Sequence, residues 1–362
     1  MRVIRPSNVV RLAALLLGVS VCLPNAVEAQ TRSTSRNAPT KSTTIRKPAA
    51  KPAYSASASK ARKARLARAR AAAKAREAAR MRVAAAALKE AMTPRFKTDE
   101  NGAQVPDVRA EAAIAFNPTT GEVVWQENGQ EKRPIASITK VMTALVFLED
   151  NPDLSREVTV ERSDVYAAST TYLRANERIT LDNLLHLALI PSDNGAARAL
   201  ARLSHGGTAS FVERMNEKAI ELGLENTSFQ DPSGLNPANM SSAYDLSRLI
   251  SYASADDRIA SIMRMQHYTV STSRRTIRIN NTNKLLGGSD VDVMAGKTGF
   301  ISKAGYCLAT MLRLPQSQQT VAVVVLGARS NNGRFWETRH LFNWLTEKAS
   351  DLFDKSPQEQ VR

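Results

Sequence analysis

Ser137 and Lys140 stand three residues apart, immediately before the apolar stretch 141–148. If this segment is helical, the two side chains lie one above the other on the same face. A helix N-terminus favours negative charge developing near the serine. Burial lowers the pKa of a lysine, so that its neutral form is available to accept a proton. The pair is therefore a candidate nucleophile with its base. The pattern alone is weak, because it also fits an ordinary helix start with a lysine lying along apolar surface, and it recurs at Ser57 and Lys60.

Two further short motifs fall at places where chemistry could use them. Ser192-Asp193-Asn194 interrupts a predicted helical region, and Lys297-Thr298-Gly299 lies on a predicted strand, where the glycine lets a ligand backbone approach. Each motif is common by itself, and Ser330-Asn331-Asn332 also matches Ser-x-Asn. The order and context of the three motifs carry the signal.

Capping and turn residues indicate the elements that position these motifs. Thr180 caps a helix that ends at Leu189, a second helix spans 195–203, Ser210 with Glu213 opens a third that ends at Gly223, and Ser242 with Asp245 opens a fourth. Strands are predicted at 111–116, 121–125, 294–298, 305–314 and 320–326, with alternating β character over 268–279 and a final helix over 336–350.

Two strands, then helices, then three strands and a helix form a three-layer α/β pattern. We expect both ends of the folded region to contribute strands to one antiparallel sheet of five strands, with a helical subdomain inserted between them. The Ser137 helix should run between the sheet and this insertion.

The charge of the chain is concentrated near its beginning. The net charge is +15 over residues 31–90 and +2 over residues 1–30, but −1 over residues 91–362, although the whole chain carries +16. Residues 30–104 are therefore predicted to be a disordered to helical basic linker rich in Ala, Lys and Arg. Such a segment suits an anionic wall polymer or a membrane surface, and a solvated spacer is an equally good interpretation.

The first 29 residues have the pattern of a secretory signal. Arginines precede an apolar stretch over 12–23, and small residues place a cleavage site after Ala29. Export to the periplasm, the cell wall or the medium follows, and it argues against nucleic acid as the main partner of the basic linker. An uncleaved anchor is the alternative interpretation.

Other reactive side chains are predicted to be structural. After cleavage Cys307 is the lone cysteine, and a small buried core residue is the better interpretation than a nucleophile. No Gly-x-Ser-x-Gly occurs, and the histidines show neither a triad pattern nor metal-ligand spacing; they are His186, His205, His267 and His340. We therefore expect no metal and no cofactor.

The sequences around the motifs resemble those of a known family. Ser137-Ile-Thr-Lys-Val-Met-Thr-Ala-Leu145, Asp231-Pro-Ser-Gly-Leu235 and Lys297-Thr-Gly-Phe-Ile-Ser-Lys-Ala-Gly-Tyr306 are similar to the low-molecular-mass penicillin-binding proteins of peptidase family S11, the D-alanyl-D-alanine peptidases. The resemblance implies a β-lactamase/transpeptidase-like fold over a catalytic domain at 105–350, followed by a tail at 351–362. It also implies peptidoglycan stem peptides as substrates and β-lactam antibiotics as covalent inhibitors.

The resemblance also implies roles for single residues. Ser137 would form an acyl-enzyme, Lys140 would be its general base, and Ser192 would relay a proton to the leaving amine.

The remaining motif positions would bind the substrate. Asn194 would hold the substrate amide, and Lys297, Thr298 and Gly299 would receive the terminal carboxylate along the strand. The backbone N–H groups of Ser137 and Phe300 would form the oxyanion hole.

Three alternatives stay open at this point. Sixty-five residues follow Lys297, too few for the extra C-terminal β-domain of many carboxypeptidases in the family, so carboxypeptidase and endopeptidase chemistry are not separated. A serine β-lactamase is the nearest alternative. However, residues 229–236 lack the Glu-x-x-Leu-Asn motif whose carboxylate activates the deacylating water, and Asp231 is interpreted as structural. A basic wall-binding scaffold with an inactive peptidase domain is the alternative of another class.

Overall fold

The computed structural model describes residues 56–315 and 319–348. The helices in these ranges are α1 Ala56–Met92, α2 Thr139–Glu149, α3 Arg162–Val165, α4 Leu181–Leu189, α5 Asn194–Leu203, α6 Gly207–Glu221, α7 Ala243–Ser254, α8 Asp257–Arg264 and α9 Gly333–Glu347. Two short 3₁₀ turns lie at Ala136–Ile138 and Lys284–Gly287.

Thirteen strands occur in the same ranges, and eight of them form small two-stranded pairs. The strands are β1 Phe96–Thr98, β2 Gln104–Pro106, β3 Ala112–Phe116, β4 Val123–Glu127, β5 Arg133–Pro134, β6 Glu157–Thr159, β7 Arg178–Thr180, β8 Met240–Ser241, β9 His267–Ser271, β10 Thr276–Asn280, β11 Asp292–Ile301, β12 Gly305–Arg313 and β13 Thr320–Ala328.

The central sheet has the predicted construction. Its strand order is β11-β12-β13-β3-β4, and every neighbouring pair is antiparallel. Strands from before and after the helical subdomain therefore meet in one five-stranded sheet, which confirms the predicted fold class. In this order β11 is an edge strand.

The two faces of the sheet bury alternate residues of each strand, as the period of two requires. On β13, Ala322, Val324 and Leu326 face the core shared with the helical subdomain, whereas Val321, Val323 and Val325 face the core under α9. Helices α7 and α8 contact the sheet on the first side and α9 contacts it on the second. The result is three layers.

Helix α2 is buried almost completely. Every residue from Thr139 to Leu148 is buried, and the helix contacts α4, α5, α6 and α7. A fully buried Leu, Val or Phe contributes roughly 1.5–3 kcal/mol, so packing rather than propensity holds this helix in place. Helix α7 contacts both α2 and the sheet. Most of α2 therefore packs against α7 and not directly against the sheet, whereas the sequence suggested direct packing on the sheet.

Capping residues in the sequence predicted the starts of α4 and α7 correctly. The side chains of Thr180 and Ser242 accept the backbone N–H groups of Asn183 and Asp245 and cap α4 and α7, as predicted. The predicted start at Ser210 is wrong, because α6 begins three residues earlier, after Gly206. Gly206 has a φ of 76°, a left-handed conformation that glycine adopts without steric cost. Helix α9 likewise begins at Gly333 rather than at 336.

Residues 57–90 of the basic helix α1 are all exposed. No helix in residues 56–315 and 319–348 is both long enough and apolar enough to cross a bilayer. The signal sequence predicted at 1–29, the part of the linker before α1 (residues 30–55) and the tail at 351–362 lie outside the described residues.

Candidate active site

Ser137 lies in a tight turn rather than in the first turn of an α-helix. Ala136–Ile138 form a 3₁₀ turn that leads into α2, and Ala136 has a left-handed φ of 49°. The Thr139 hydroxyl donates to the Ala136 carbonyl at 2.8 Å and holds the turn closed. This geometry leaves Ser137 partly exposed while its neighbours Ala136 and Ile138 are buried.

A second loop packs directly against this turn. A Cβ on Gly234 would lie 2.1 Å from the Ala136 carbonyl oxygen, and Gly234 itself has a φ of 82°. Only glycine fits both the conformation and the space.

The Lys140 ammonium lies one turn after Ser137, at the centre of a polar cluster. Its Nζ donates to Ser137 Oγ at 2.9 Å, to Asn194 Oδ1 at 2.6 Å and to the Ser233 carbonyl oxygen at 2.5 Å. These three acceptors use all three donors of an ammonium group. The side chain is fully buried.

Burial shifts the acid–base properties of this lysine. The Lys140 pKa is lowered from 10.5 to about 7, mainly by desolvation and in smaller part by the charge of Arg198, while the charges of Asp193 and Asp231 oppose the shift. A lysine with a pKa near 7 is neutral in a large fraction of molecules at physiological pH, so it can accept a proton.

The break between α4 and α5 presents Ser192 and Asn194 to the same cluster. Ser192 has a left-handed φ of 65°, and its Oγ is buried without a hydrogen-bond partner among the described residues. The Asn194 amide donates to the Ala168 carbonyl at 2.8 Å, which fixes its Oδ1 toward Lys140. Asp193 caps α5 by accepting the Ala196 N–H at 2.8 Å.

Edge strand β11 supplies the third part of the site. The Thr298 hydroxyl shares a hydrogen bond of 2.6 Å with the Thr282 hydroxyl, and Lys297 Nζ donates to the Thr298 carbonyl at 3.1 Å. A Cβ on Gly299 would lie 2.7 Å from the Ile135 carbonyl oxygen, so glycine lets the strand approach the Ser137 turn. Phe300 is 48 % exposed.

Lys297 is as deeply buried as Lys140. Desolvation lowers the Lys297 pKa well below 10.5, and the charges of Lys140 and Arg334 lower it further. No carboxylate forms an ion pair with either lysine in the described part of the chain. Both amines are therefore held without a directly paired carboxylate, which favours their neutral forms.

A cavity of about 590 Å³ joins the three motifs. Six of the predicted positions line it, and they are Ser137, Ser192, Asn194, Thr298, Gly299 and Phe300. Lys140 and Lys297 do not line it but are buried behind its wall, each hydrogen-bonded to a wall residue. All eight predicted residues are therefore brought to one cleft.

The loop 231–236 belongs to the site, and its contribution is a backbone atom that side-chain motifs do not reveal. The Asp231 carboxylate accepts the N–H groups of Ser233, Gly234 and Asn236 at 2.6–2.8 Å and the Ser233 hydroxyl at 2.6 Å. This network aims the Ser233 carbonyl at Lys140 and occupies both carboxylate oxygens. The structural interpretation of Asp231 agrees with these contacts.

Arg334, at the start of α9, is the other residue that sequence reasoning missed. It is 5 % exposed, lines the cavity and donates to the Gly299 and Cys307 carbonyls at 2.9 and 3.1 Å. Burial lowers its pKa to about 10, so it stays charged at neutral pH. The residues one turn after it, Glu337 and Thr338, are polar too, so the sequence offered no signal for this arginine.

The residues predicted to be structural lie away from the cavity. Cys307 is fully buried in the core, as predicted, and burial raises the pKa of its thiol to about 11. The His186 ring stacks on Tyr268, and the His340 ring packs edge-on against Phe96. Within 56–315 and 319–348, no group of three His, Cys, Asp or Glu side chains could hold a metal ion.

Comparisons with known proteins agree with this geometry. The family model described as D-alanyl-D-alanine carboxypeptidase, peptidase S11, matches residues 99–330. A D-alanyl-D-alanine endopeptidase of Escherichia coli is 33 % identical over 247 residues, which cover 67 % of this chain and 79 % of that protein. The D-alanyl-D-alanine carboxypeptidase DacC of Escherichia coli is 33 % identical over 260 residues, covering 68 % of this chain and 63 % of that one.

A solved structure shares the fold. The crystal structure of the Streptomyces K15 DD-transpeptidase superposes with a TM-score of 0.62 at 30 % identity, covering 66 % of this chain and 97 % of that chain. The resemblance found in the sequence is thereby confirmed, including the β-lactamase/transpeptidase-like fold. The chain belongs to the S11 family of serine D-alanyl-D-alanine peptidases.

Proposed function

We propose that the protein cleaves peptide bonds at D-alanine in peptidoglycan stem peptides through an acyl-enzyme on Ser137. The observation that carries the proposal is the hydrogen bond of 2.9 Å from a fully buried Lys140 to Ser137 Oγ, combined with a Lys140 pKa of about 7. A serine hydroxyl beside a neutral amine has a base to take its proton at the moment of attack.

The reaction follows from the positions of the groups. Neutral Lys140 takes the Ser137 proton as Oγ attacks the carbonyl carbon, and the oxyanion forms between the N–H groups of Ser137 and Phe300. The proton then passes to the leaving amine through Ser192, whose Oγ is free for this contact among the described residues. Water cleaves the acyl-enzyme and restores Ser137.

Positive charge at the β11 end of the cavity receives the terminal carboxylate. Thr298 and Arg334 line the cavity, and Lys297 acts from behind Thr298. Because burial disfavours a charged Lys297 in the free protein, an arriving carboxylate raises its pKa and binding takes up a proton. Asn194 holds the amide on the other side.

We propose endopeptidase activity on D-alanine cross-links as the main reaction. Three relatives, 33–34 % identical to this chain, are named D-alanyl-D-alanine endopeptidase, and the alignments cover 76–79 % of their lengths. The experiment is digestion of purified muropeptides followed by mass analysis. Loss of cross-linked dimers supports the proposal, and loss of pentapeptide monomers alone would assign a carboxypeptidase instead.

Penicillins should form a long-lived adduct on Ser137. No Asp or Glu lines the cavity in the described part of the chain, and both Asp231 oxygens are already engaged, so no carboxylate is placed to activate a deacylating water. Labelling with a fluorescent penicillin, with Ser137→Ala as the blank, tests this point. Rapid nitrocefin turnover would show a β-lactamase, and absence of label would favour the inactive scaffold.

The site of action is proposed to be outside the cytoplasm, in the periplasm or the cell wall. Family members act on peptidoglycan, and the signal pattern at 1–29 supplies the export route. N-terminal sequencing of the protein recovered from its host would test cleavage after Ala29. A retained N-terminus would instead mean that this segment serves as an anchor.

We further propose that the basic linker binds the anionic peptidoglycan itself. Helix α1 carries eleven Lys and Arg against two Glu, and at 100° per residue these cations lie on all sides of the helix. A planar membrane meets only one side of such a helix and finds no apolar face to bury. A polymer mesh can meet every side, so the distribution favours the wall.

Sedimentation with isolated sacculi tests this second proposal. The protein should sediment with native sacculi at low salt and be released by several hundred millimolar NaCl, because the contacts are between exposed charges. Sacculi with amidated carboxylates are the control and should bind less. Equal binding to both preparations, or stronger binding to anionic lipid vesicles, would contradict the proposal.

A further inference from the structure

A second cavity continues beyond Phe300, at the far end of the proposed substrate groove. It has a volume of about 360 Å³ and is lined mainly by the turn between β11 and β12 and by the end of β13 with Arg329 after it. Phe300 and Ser302 line both this cavity and the one that contains Ser137. The two cavities are therefore neighbours that meet at the end of β11.

The proposed chemistry fixes the direction of a bound peptide. Its terminal carboxylate lies near Lys297 and Thr298, and its reacting carbonyl lies at the N–H groups of Ser137 and Phe300. A peptide bound this way runs antiparallel to β11, and residues preceding the reacting carbonyl continue past Ile301. This step rests on the proposed function.

The spacing brings those preceding residues to the second cavity. An extended chain advances about 3.3 Å per residue, with one residue opposite each residue of the neighbouring strand. With the reacting D-alanine opposite Phe300, the first and second residues before it are opposite Ile301 and Ser302, where β11 ends and the turn begins.

The charges around this cavity favour an anion. Lys303 and Arg329 are exposed on its wall, and neither forms an ion pair or side-chain hydrogen bond within the described ranges. The one carboxylate in the lining, Glu111, is already paired with Arg133. Two uncompensated cations thus face the path of the peptide.

The aromatic wall gives the cavity a fixed shape on its inner side. The rings of Phe300 and Tyr306 stack with centroids 4.2 Å apart and an interplanar angle of 24°. Arg334 lies over the Tyr306 ring at 5.6 Å and holds this pair from behind. The apolar stem of an upstream residue can pack against the ring pair while its charged end reaches Lys303 or Arg329.

We infer that this cavity is a specificity subsite that takes a carboxylate one or two residues upstream of the scissile D-alanine bond. Lys303 and Arg329 are its specificity-determining residues. The subsite distinguishes stems with free carboxylates from stems in which the same carboxylates are amidated. Its ligand is part of the substrate, so the subsite acts on substrate capture rather than on the chemical step.

The test compares two stem peptides that differ only in that upstream group, one with the free carboxylate and one with the carboxamide. The full-length protein is assayed for cleavage of both peptides, as D-Ala-D-Ala monomers and as cross-linked dimers. We expect kcat/KM to be roughly fivefold to tenfold higher for the carboxylate, mostly through KM, and the preference to shrink at high salt.

Variants assign the preference to the two cations. Lys303→Gln and Arg329→Gln should each reduce the preference roughly twofold to fivefold, and the double variant should remove it. Lys303→Glu should reverse it. Lys132→Gln is the matched control, since Lys132 is exposed but lines neither cavity.

The outcomes are separable from those of the proposed function. Failure to cleave any peptide and to react with penicillin would refute the peptidase proposal itself. Equal cleavage of both peptides by the wild type, which requires no variant to fold, would overturn only the subsite. A preference that persists in the double variant, with its rate of penicillin acylation unchanged, would overturn it as well.

Discussion

The low pKa of Lys140 predicts how acylation of Ser137 depends on pH. Lys140 must be neutral to accept the serine proton, and burial lowers its pKa to about 7. With that midpoint, the neutral fraction rises from about 9 % at pH 6 to about 91 % at pH 8. The second-order rate constant of acylation should therefore rise about tenfold over this interval and level off near its upper end.

The expected curve differs from that of an ordinary lysine. With a pKa of 10.5, the neutral fraction would rise about a hundredfold between pH 6 and 8 and would keep rising above that. The assay is stopped-flow labelling with a fluorescent penicillin at constant ionic strength, with Ser137→Ala as the blank. A hundredfold rise would refute the lowered pKa of Lys140, and a rate independent of pH would refute its assignment as the base.

A nearby charge offers a second control on the same curve. The positive charge of Arg198 lowers the Lys140 pKa, so Arg198→Gln should move the midpoint to higher pH. Arg198→Lys keeps the charge and should leave the midpoint in place. If both variants shift it equally, the effect comes from lost packing and not from charge.

Three further predictions concern stability and the proton relay. Between pH 7 and 10 the unfolded chain binds a proton at Lys140 that the folded chain does not. The free energy of unfolding of the wild type, measured by denaturant titration, should therefore rise by up to about 4 kcal/mol over this pH range relative to that of Lys140→Met. The same pH dependence in both proteins would contradict burial of the amine. Gly234→Ala should lower Tm much more than Gly207→Ala, since both have positive φ but only Gly234 has an atom within 3 Å of its added Cβ; similar losses would rule out the contact with Ala136. Ser192→Ala should lower kcat/KM for peptides about a hundredfold, measured by product release, and full activity would remove Ser192 from the relay.

Side-chain motifs predicted the site well because its chemistry resides in side chains with regular spacing. The three-residue interval places Ser137 next to Lys140. The helix break that begins at Pro191 is predicted by its Pro, Ser, Asp and Asn residues. The glycine of the third motif signalled a close backbone approach, which the contact between Gly299 and Ile135 explains.

The missed contributions have a common physical origin. The Ser233 carbonyl is a backbone acceptor that any residue type would provide, so its position depends on how the Asp231 network folds the loop. Arg334 reaches the cavity from the last helix, and the sequence does not indicate which face of α9 meets β11. The start of α6 was misplaced because Gly206 caps it by backbone conformation, without a side-chain bond.

The position of β11 at the edge of the sheet has a consequence for solubility. An edge strand leaves backbone groups ready to pair with a strand of another copy, which is a route to aggregation. Here the close contact between Gly299 and the Ser137 turn covers part of that edge, and two buried ammonium groups lie behind it. A strand of another copy could pair along this part of β11 only by displacing the Ser137 turn, so the contact that shapes the cleft also protects the strand from self-association.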